Sequence, residues 1–514
     1  MDTHSRRSFL KLACAGTGLL ALAPYSSFLL AENRQAMPFG NAFVVPPLDQ
    51  GLRQGKQVRF VLNMQQGKMA FLPGMETPTL GINAPYSGPV LHARKGDDVS
   101  LQVNNRTEEA SILHWHGFRL PAVMDGGPHQ SIPPGGSWTA RFEVRQDAST
   151  CWYHSHQHNQ TGQQVYRGLA GMFIIDDDRI GTLDIPSRYG VDDLPVIIQD
   201  RDFNADGSFR YISMMPERMH GKHGSTILVN GVVTPTLQAQ STLLRLRVLN
   251  GSNARIYKLA FHDNRAFQVI ASDGGFLPQA ATVRQLVLAP GERAELLVDV
   301  ADRKAIVLKS LRGAIVANDG MMGGMMARMM GNMGFDQELD ILRIDASQAE
   351  TSSHRRPQAL IRPTLLNPRD ARLSRTIQIS MGMMGGGMMM GGMMNRRGGG
   401  MDGMFTINGK AFDMDRIDFE AKRDTPEIWE VSNDSPMQHP FHIHNVQFQI
   451  LERNGRGVAA HETGLKDTVL VNPNETVRLL MVFQHYSDGH TPYMYHCHNL
   501  EHEDQGMMGQ FVVV

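Results

Sequence analysis

Cysteine is nearly absent from this chain of 514 residues, with 3 in all, which excludes a fold held by disulfides. Neither sign of charge dominates. Lys and Arg number 50 against 51 Asp and Glu, so nothing marks a binder of nucleic acid or another polyanion. Long hydrophobic runs are missing as well, since no segment reaches the roughly 18 uninterrupted apolar residues of a membrane span. What the chain has in excess is 33 Met and 51 Gly. At roughly 150 residues per domain the length argues for three domains.

The first 31 residues read as a targeting segment rather than as fold. Ser5–Lys11 spells SRRSFLK, and a mildly apolar stretch from Leu12 to about Ala23 follows it. That pattern is a twin-arginine export signal, too short to serve as an anchor. Cys14 lies within it, but the surrounding pattern is poor for a lipid anchor. The expectation is a periplasmic, monomeric protein handled by the twin-arginine export machinery, with no membrane anchor in its mature form.

The remainder repeats three times. Each third opens on an Ile/Val-Asn pair, at Ile82-Asn83, Val229-Asn230 and Ile407-Asn408. Each continues to a strand-like run ending in asparagine: SLQVN to Asn104, LRLRVLN to Asn250, EIWEVSN to Asn433. A proline turn and an alternating strand come next, near Pro134, Pro290 and Pro473. Three copies in one order mean three related domains. Short period-two runs separated by Gly, Pro and Asn make each an all-β Greek-key sandwich or barrel. The expected divisions are 41–178, 190–345 and 370–514, with linkers at about Asp176–Tyr189 and Asp345–Pro368.

Four histidine clusters carry the chemistry: HWHG at His114–Gly117, HSHQH at His154–His158, HPFHIH at His439–His444, and HCHNLEHEDQGMM at His496–Met508. On a strand, residues i and i+2 point the same way about 6.6–7 Å apart while i+1 faces the other side. In His496-Cys497-His498 the imidazoles therefore face one metal site and the thiolate another, joined by backbone. A thiolate, two imidazoles and a thioether form a blue-copper ligand set. Cys497, His502 and Met507 supply three of these from one loop, and His439 is the natural fourth. His114, His116, His154, His156, His442, His444, His496 and His498 remain, enough for three further coppers with positions left for dioxygen.

In these four motifs the sequence resembles the multicopper oxidase family, the kind built of three cupredoxin-like domains, across essentially the whole mature chain. The resemblance implies a type 1 copper at His439, Cys497, His502 and Met507. It implies a type 2 copper at His114 and His442, and a type 3 pair at His116, His154, His156, His444, His496 and His498. The middle third has no H-x-H, so the cluster is expected between the outer two with the middle as a spacer. Asp125 and Glu503 are the implied carboxylates that relay protons. Four coppers can store the four electrons that reduce dioxygen to two waters.

Methionine bears on the reductant. Met321–Met333 holds seven Met in thirteen residues, and Met381–Met404 ten in twenty-four, both threaded with Gly. Thioethers are soft donors that select Cu(I), and in this the chain resembles the bacterial cuprous oxidases of copper tolerance. It departs from them in carrying no His in these segments, and in placing Ser435 where that subfamily has an acid, with Asp434 one position away. Asp434 and Met437 are the candidate ligands of a substrate copper. Cys151 is expected as a buried free thiol, His158 as an outer or surface residue, and Met508 as a neighbour of the ligand Met507. His92, His220, His223 and His262 show no ligand spacing. The leading expectation is a cuprous oxidase serving copper detoxification. A laccase-like oxidase of phenols or other metal ions is the alternative, and a non-enzymatic copper-sequestering protein or a metal-free structural relative a further one.

Overall fold

The structure, a computed structural model, describes residues 39–316, 334–357, 359–382 and 403–514. Among them six sheets stand in three pairs, and every helix is short. The chain is all-β and built of cupredoxin-like sheet units. In the first pair, Gln57–Met69 turns Val58, Phe60, Leu62 and Met64 inward and alternate residues outward, the period-two pattern of a strand with one buried face. No helix among the described residues is long and apolar enough to cross a membrane.

The threefold repeat has a structural counterpart. In each pair an early strand lies parallel to the run that ends in asparagine, and that run lies antiparallel to the strand after the proline turn. The triplets are Gln57–Met69 with Asp98–Asn105 and Ser137–Glu143, Asp193–Arg201 with Leu243–Asn250 and Arg293–Asp299, and Leu373–Met381 with Glu427–Asn433 and Glu475–Met481. A parallel neighbour cannot be reached by a tight hairpin, so each unit must cross over, as a Greek key does.

The asparagines explain why the motif recurs. Asn83, Asn230 and Asn408 take φ of 56°, 52° and 52°, a left-handed conformation that asparagine tolerates better than most residues. Each also accepts a backbone N–H through Oδ1, from Asn63 at 2.9 Å, Ile197 at 2.9 Å and Gln378 at 2.7 Å. The second asparagine of each copy caps the next loop. Asn250 Nδ2 donates to the carbonyls of Arg255 and Leu288, and Asn433 Nδ2 to those of Met437 and Val471. In the first copy Asn105 does this, through the carbonyls of Glu109 and Ile132, one position beyond Asn104. The doublet Asn104-Asn105 hid the register.

Six strands and three helices position the site. Strand β1 (Leu113–His116) pairs antiparallel with β2 (Ser149–Ser155), setting His114 opposite His154. In the third unit β3 (His439–Ile443) lies between β4 (Thr468–Val471) and β5 (Asp488–Cys497), with His442 opposite His496 and Phe441 opposite Cys497. β6 (Met508–Val513) sets Met508 opposite His496. The helices are α1 (Thr161–Arg167), α2 (Met215–His220) and α3 (Leu500–Asp504).

Candidate metal centres

Alternation on β1 sends His114 and His116 to one side and Trp115 into the apolar core of its own unit. The same alternation on β3 and β5 brings His442, His444, His496 and His498 to meet them. All eight imidazoles, with His154 and His156, are buried to within 1%. Their ring nitrogens form two triads, His116 with His154 and His498, and His156 with His444 and His496. His114 and His442 come together beside His444 as a third group. Within each group one nitrogen per residue lies within 4.8 Å of the others.

Outward hydrogen bonds fix the tautomers. His114 Nδ1 donates to the Asp125 carbonyl at 2.9 Å, His154 Nδ1 to that of Ser155 at 2.8 Å, and His442 Nδ1 to that of Asp467 at 2.8 Å. This leaves the three Nε2 lone pairs pointing inward with no protein partner. His116 is reversed, since its Nε2 donates to Asp467 Oδ1 at 2.9 Å and Nδ1 is the orphan. Burial, and then the adjoining rings, pushes His114, His116, His154, His442, His444 and His498 well below the ordinary imidazole pKa. Buried nitrogens are almost always satisfied. Several neutral lone pairs converging without donors fit copper ions, with the outer partners orienting each ring.

The second centre lies on the far side of β5. Cys497 Sγ is 3.3 Å from His439 Nδ1 and 3.7 Å from His502 Nδ1, and the two nitrogens are 3.3 Å apart. Here Nδ1 faces inward because the outer nitrogens are held. Ser435 Oγ lies 2.7 Å from His439 Nε2, and His502 Nε2 donates to the Met219 carbonyl at 2.9 Å. Burial raises the Cys497 thiol far above its ordinary pKa. Met507 is fully buried in the same apolar cluster as Cys497, and its carbonyl accepts the Cys497 N–H at 3.0 Å. The Phe405 ring stacks on His502 at 4.4 Å.

Both expected carboxylates reach the histidines. Asp125 Oδ2 is 2.6 Å from His444 Nδ1, and its Oδ1 makes no hydrogen bond but lies 3.5 Å from His114 Nδ1, while burial raises its pKa well above the usual carboxylate value. Glu503 lies 3.2 Å from His496 Nδ1 and 3.5 Å from His156 Nδ1. Burial opposes its ionisation, but His156 and His496 outweigh that and hold its pKa down to about 2.

Other expected residues fall in several places. Cys151 is a buried free thiol, pushed up to about 11 chiefly by burial. His158 is half-buried against Phe412, and His92 bonds Asp176. Asp434 is exposed, with Oδ2 accepting from Gln378 at 2.7 Å, whereas Met437 is buried and lines a cavity beside the sulfur centre. The targeting segment, Met321–Met333 and residues 383–402 of the second methionine segment lie outside the described residues.

Several residues at the site were not visible in the sequence. Asp467 touches His116 through its carboxylate and His442 through its carbonyl. Arg293, from the middle unit, grips that carboxylate at 2.7 and 2.6 Å. Ser435 and Met219 orient the histidines beside Cys497. No local pattern marks Asp467, Arg293 or Met219, because their contacts join elements far apart in the chain, whereas Ser435 is only four residues from His439 and its role as a ring partner shows only in the fold.

Two family profiles, each described as "Multicopper oxidase", match residues 63–180 and 388–514. The chain is 36% identical over 458 residues to "Multicopper oxidase mco" of Staphylococcus aureus, covering 88% of each. It is 35% identical to "Cell division protein FtsP" of Escherichia coli K12, covering 99% of this chain and 98% of that one. Its fold superposes on a crystal structure of a laccase from Pediococcus acidilactici Pa5930 with a TM-score of 0.79 and 32% identity, covering 94% and 95% of the two chains.

Proposed function

This chain belongs to the multicopper oxidase family, and on that premise we propose that it oxidises Cu(I) and passes the electrons to dioxygen. The clusters match one mononuclear and one trinuclear copper arrangement, those of an oxidase enzyme. We assign the mononuclear, type 1 copper to His439, Cys497, His502 and Met507. The type 2 ion goes to His114 and His442, and the type 3 pair to the two histidine triads. Copper bound there supplies one-electron storage and the four-electron reduction of dioxygen, with four protons, to two waters.

The chain's own atoms do the rest. The segment His496-Cys497-His498 joins the two centres by backbone alone. Asp125 holds a proton at the carboxyl beside His444, and Glu503 offers an acceptor beside His156 and His496; both border the one triad these three histidines form, where protons are consumed. Burial of all ten site histidines excludes bulk water.

The covered approach to the sulfur centre carries the choice of Cu(I). Both outer imidazole nitrogens are capped by protein, one by Ser435 and one by the Met219 carbonyl at the end of α2. Among the described residues, the space that adjoins them is a cavity of about 30 Å³, room for about two waters and too small for a phenol ring. The likeness to a laccase favours a second reading, oxidation of phenols. Dioxygen uptake with Cu(I) and with a phenol as sole reductant decides between them. One dioxygen per four Cu(I), with little phenol turnover, is expected. Efficient phenol oxidation without added copper, together with no Cu(I)-dependent uptake, would replace this reading with the laccase-like one. We further propose the divisions 41–178, 190–345 and 370–514, export through the twin-arginine signal, and action as a monomer in the periplasm.

A further inference from the structure

The geometry points to a Cu(I) entry site built by the imidazoles of His220 and His223 and the thioether of Met437, in the cavity that adjoins the Cys497 centre. The substrate ion would thus be received by the middle unit together with the third, and not by Asp434. The inference rests on the Cu(I) reading above and names the residues that take the ion.

All three side chains line that one cavity, with Gln438, Pro440 and Asn499. His220 is 4% exposed, and its Nδ1 has no hydrogen-bond partner. His223 commits Nδ1 to the Gly221 carbonyl at 3.1 Å, which leaves its other nitrogen for a ligand. Phe335 packs on both rings, at 5.6 and 4.6 Å between centroids, and holds their planes. Burial keeps both neutral, lowering His220 and bringing His223 to about 3 with further help from Arg255. The lining contains no carboxylate. Two imidazoles and a thioether without hard oxygen anions select a soft monovalent ion over Mg²⁺ or Ca²⁺.

The same residues are locked to the electron acceptor. Ser435 Oγ donates to the Met437 carbonyl at 3.1 Å and meets His439 Nε2 at 2.7 Å. Asn499 Nδ2 donates to the His220 carbonyl at 3.1 Å and lies 3.3 Å from His502 Nε2. Gly221 makes the fit between the two histidines close. Its φ is 83°, and a Cβ there would fall 2.4 Å from Ala254 Cβ and 2.5 Å from Asn499 Nδ2. An ion in the cavity therefore sits one residue contact from each imidazole beside Cys497. Each Cu(I) gives up one electron through that pair and leaves as Cu(II); four such events, with four protons, convert one dioxygen to two waters.

Ag(I) has the charge and softness of Cu(I) and does not donate an electron, so it reports the site apart from turnover. Crystals of the copper-loaded protein soaked in Ag(I) should show anomalous density between Met437 Sδ and the His220 and His223 rings. Its absence at saturating Ag(I) would overturn the site. His220→Gln, His223→Gln and Met437→Leu, each retaining the blue absorption and full copper content, should raise KM for Cu(I) at least about tenfold. If one variant fails to fold, the other two carry the test. Unchanged KM in the folded variants, with Cu(I) still oxidised, overturns the site and leaves the Cu(I) oxidase standing. Silver bound in the cavity of a protein that does not oxidise Cu(I) upholds a soft-ion site and removes the oxidase reading.

Discussion

Cys497 has no small substitute, because serine keeps the shape but gives copper a hard oxygen in place of a thiolate. Cys497→Ser should therefore abolish the intense visible absorption and dioxygen turnover while circular dichroism stays unchanged. The same thiol sets a pH dependence. Burial keeps Cys497 protonated in the metal-free protein, whereas His439 lies well below the ordinary imidazole value and His502 near 3. Between about pH 5.5 and 8, copper entering this centre displaces one proton, the thiol's, so its apparent affinity should rise about tenfold per pH unit. Copper titrations of metal-free protein followed at the blue band check this slope; a flat profile would mean that the thiol is already ionised. At Asp125, Asn is nearly isosteric but cannot cycle a proton. Asp125→Asn should lower turnover by roughly 10²–10⁴-fold with copper content unchanged, and normal turnover across the pH range would leave Asp125 as a turn residue.

Among the elements, the strands that bear H-x-H were readable from period two alone, since residues i and i+2 must share a side. So were the asparagine turns, as a repeat if not as a mechanism. What could not be read was the closure of each ring's second nitrogen. Ser435 stands four residues before His439 and looked only like a missing acid, while Asp467 has no motif at all and acquires its role when β4 lies beside β3. Asn230 shows what the repeat contributes to stability. Its side chain accepts from Ile197 and donates to the Val44 and Pro195 carbonyls, on a backbone with positive φ. Asn230→Ala should cost about 1–3 kcal/mol from the left-handed backbone and the unmade hydrogen bonds. Asn230→Gly, which accepts the same φ, should cost less. Urea unfolding midpoints of the two variants separate the backbone part from the side-chain part.

For the whole molecule, the middle unit is more than the spacer that its lack of H-x-H suggested. Arg293 donates from Nε to the Thr150 carbonyl of the first unit at 2.9 Å and from both Nη to Asp467 of the third. One side chain of the middle unit thus ties the other two together at the floor of the histidine chamber. Removing it alone leaves a buried carboxylate without its cation, which costs about 3–5 kcal/mol. Arg293→Met should lower the melting temperature and deplete the trinuclear coppers more than the blue one. Arg293→Met with Asp467→Asn should melt above the single variant, because the uncompensated charge is gone; an equal or lower melting temperature would show that the pair is not the brace described.

Helix α3 has a further consequence, one of timing. Its consecutive side chains address every part of the molecule. Glu501 meets the Lys222 N–H and Asn253 Nδ2 in the middle unit, at 2.9 and 2.7 Å. His502 faces Cys497, and Glu503 faces the histidine triads. Asp504 accepts the N–H groups of Thr161 and Gly162 at the start of α1, at 2.9 and 2.8 Å. The ribosome delivers these residues after all of those partners. Each pair of sheets can fold as it emerges, but the sulfur centre is not complete before α3 is made. Copper should therefore enter the sulfur centre only after α3 has docked, and a nascent chain halted at residue 499 keeps the eight clustered histidines but lacks His502 and Met507 beside Cys497.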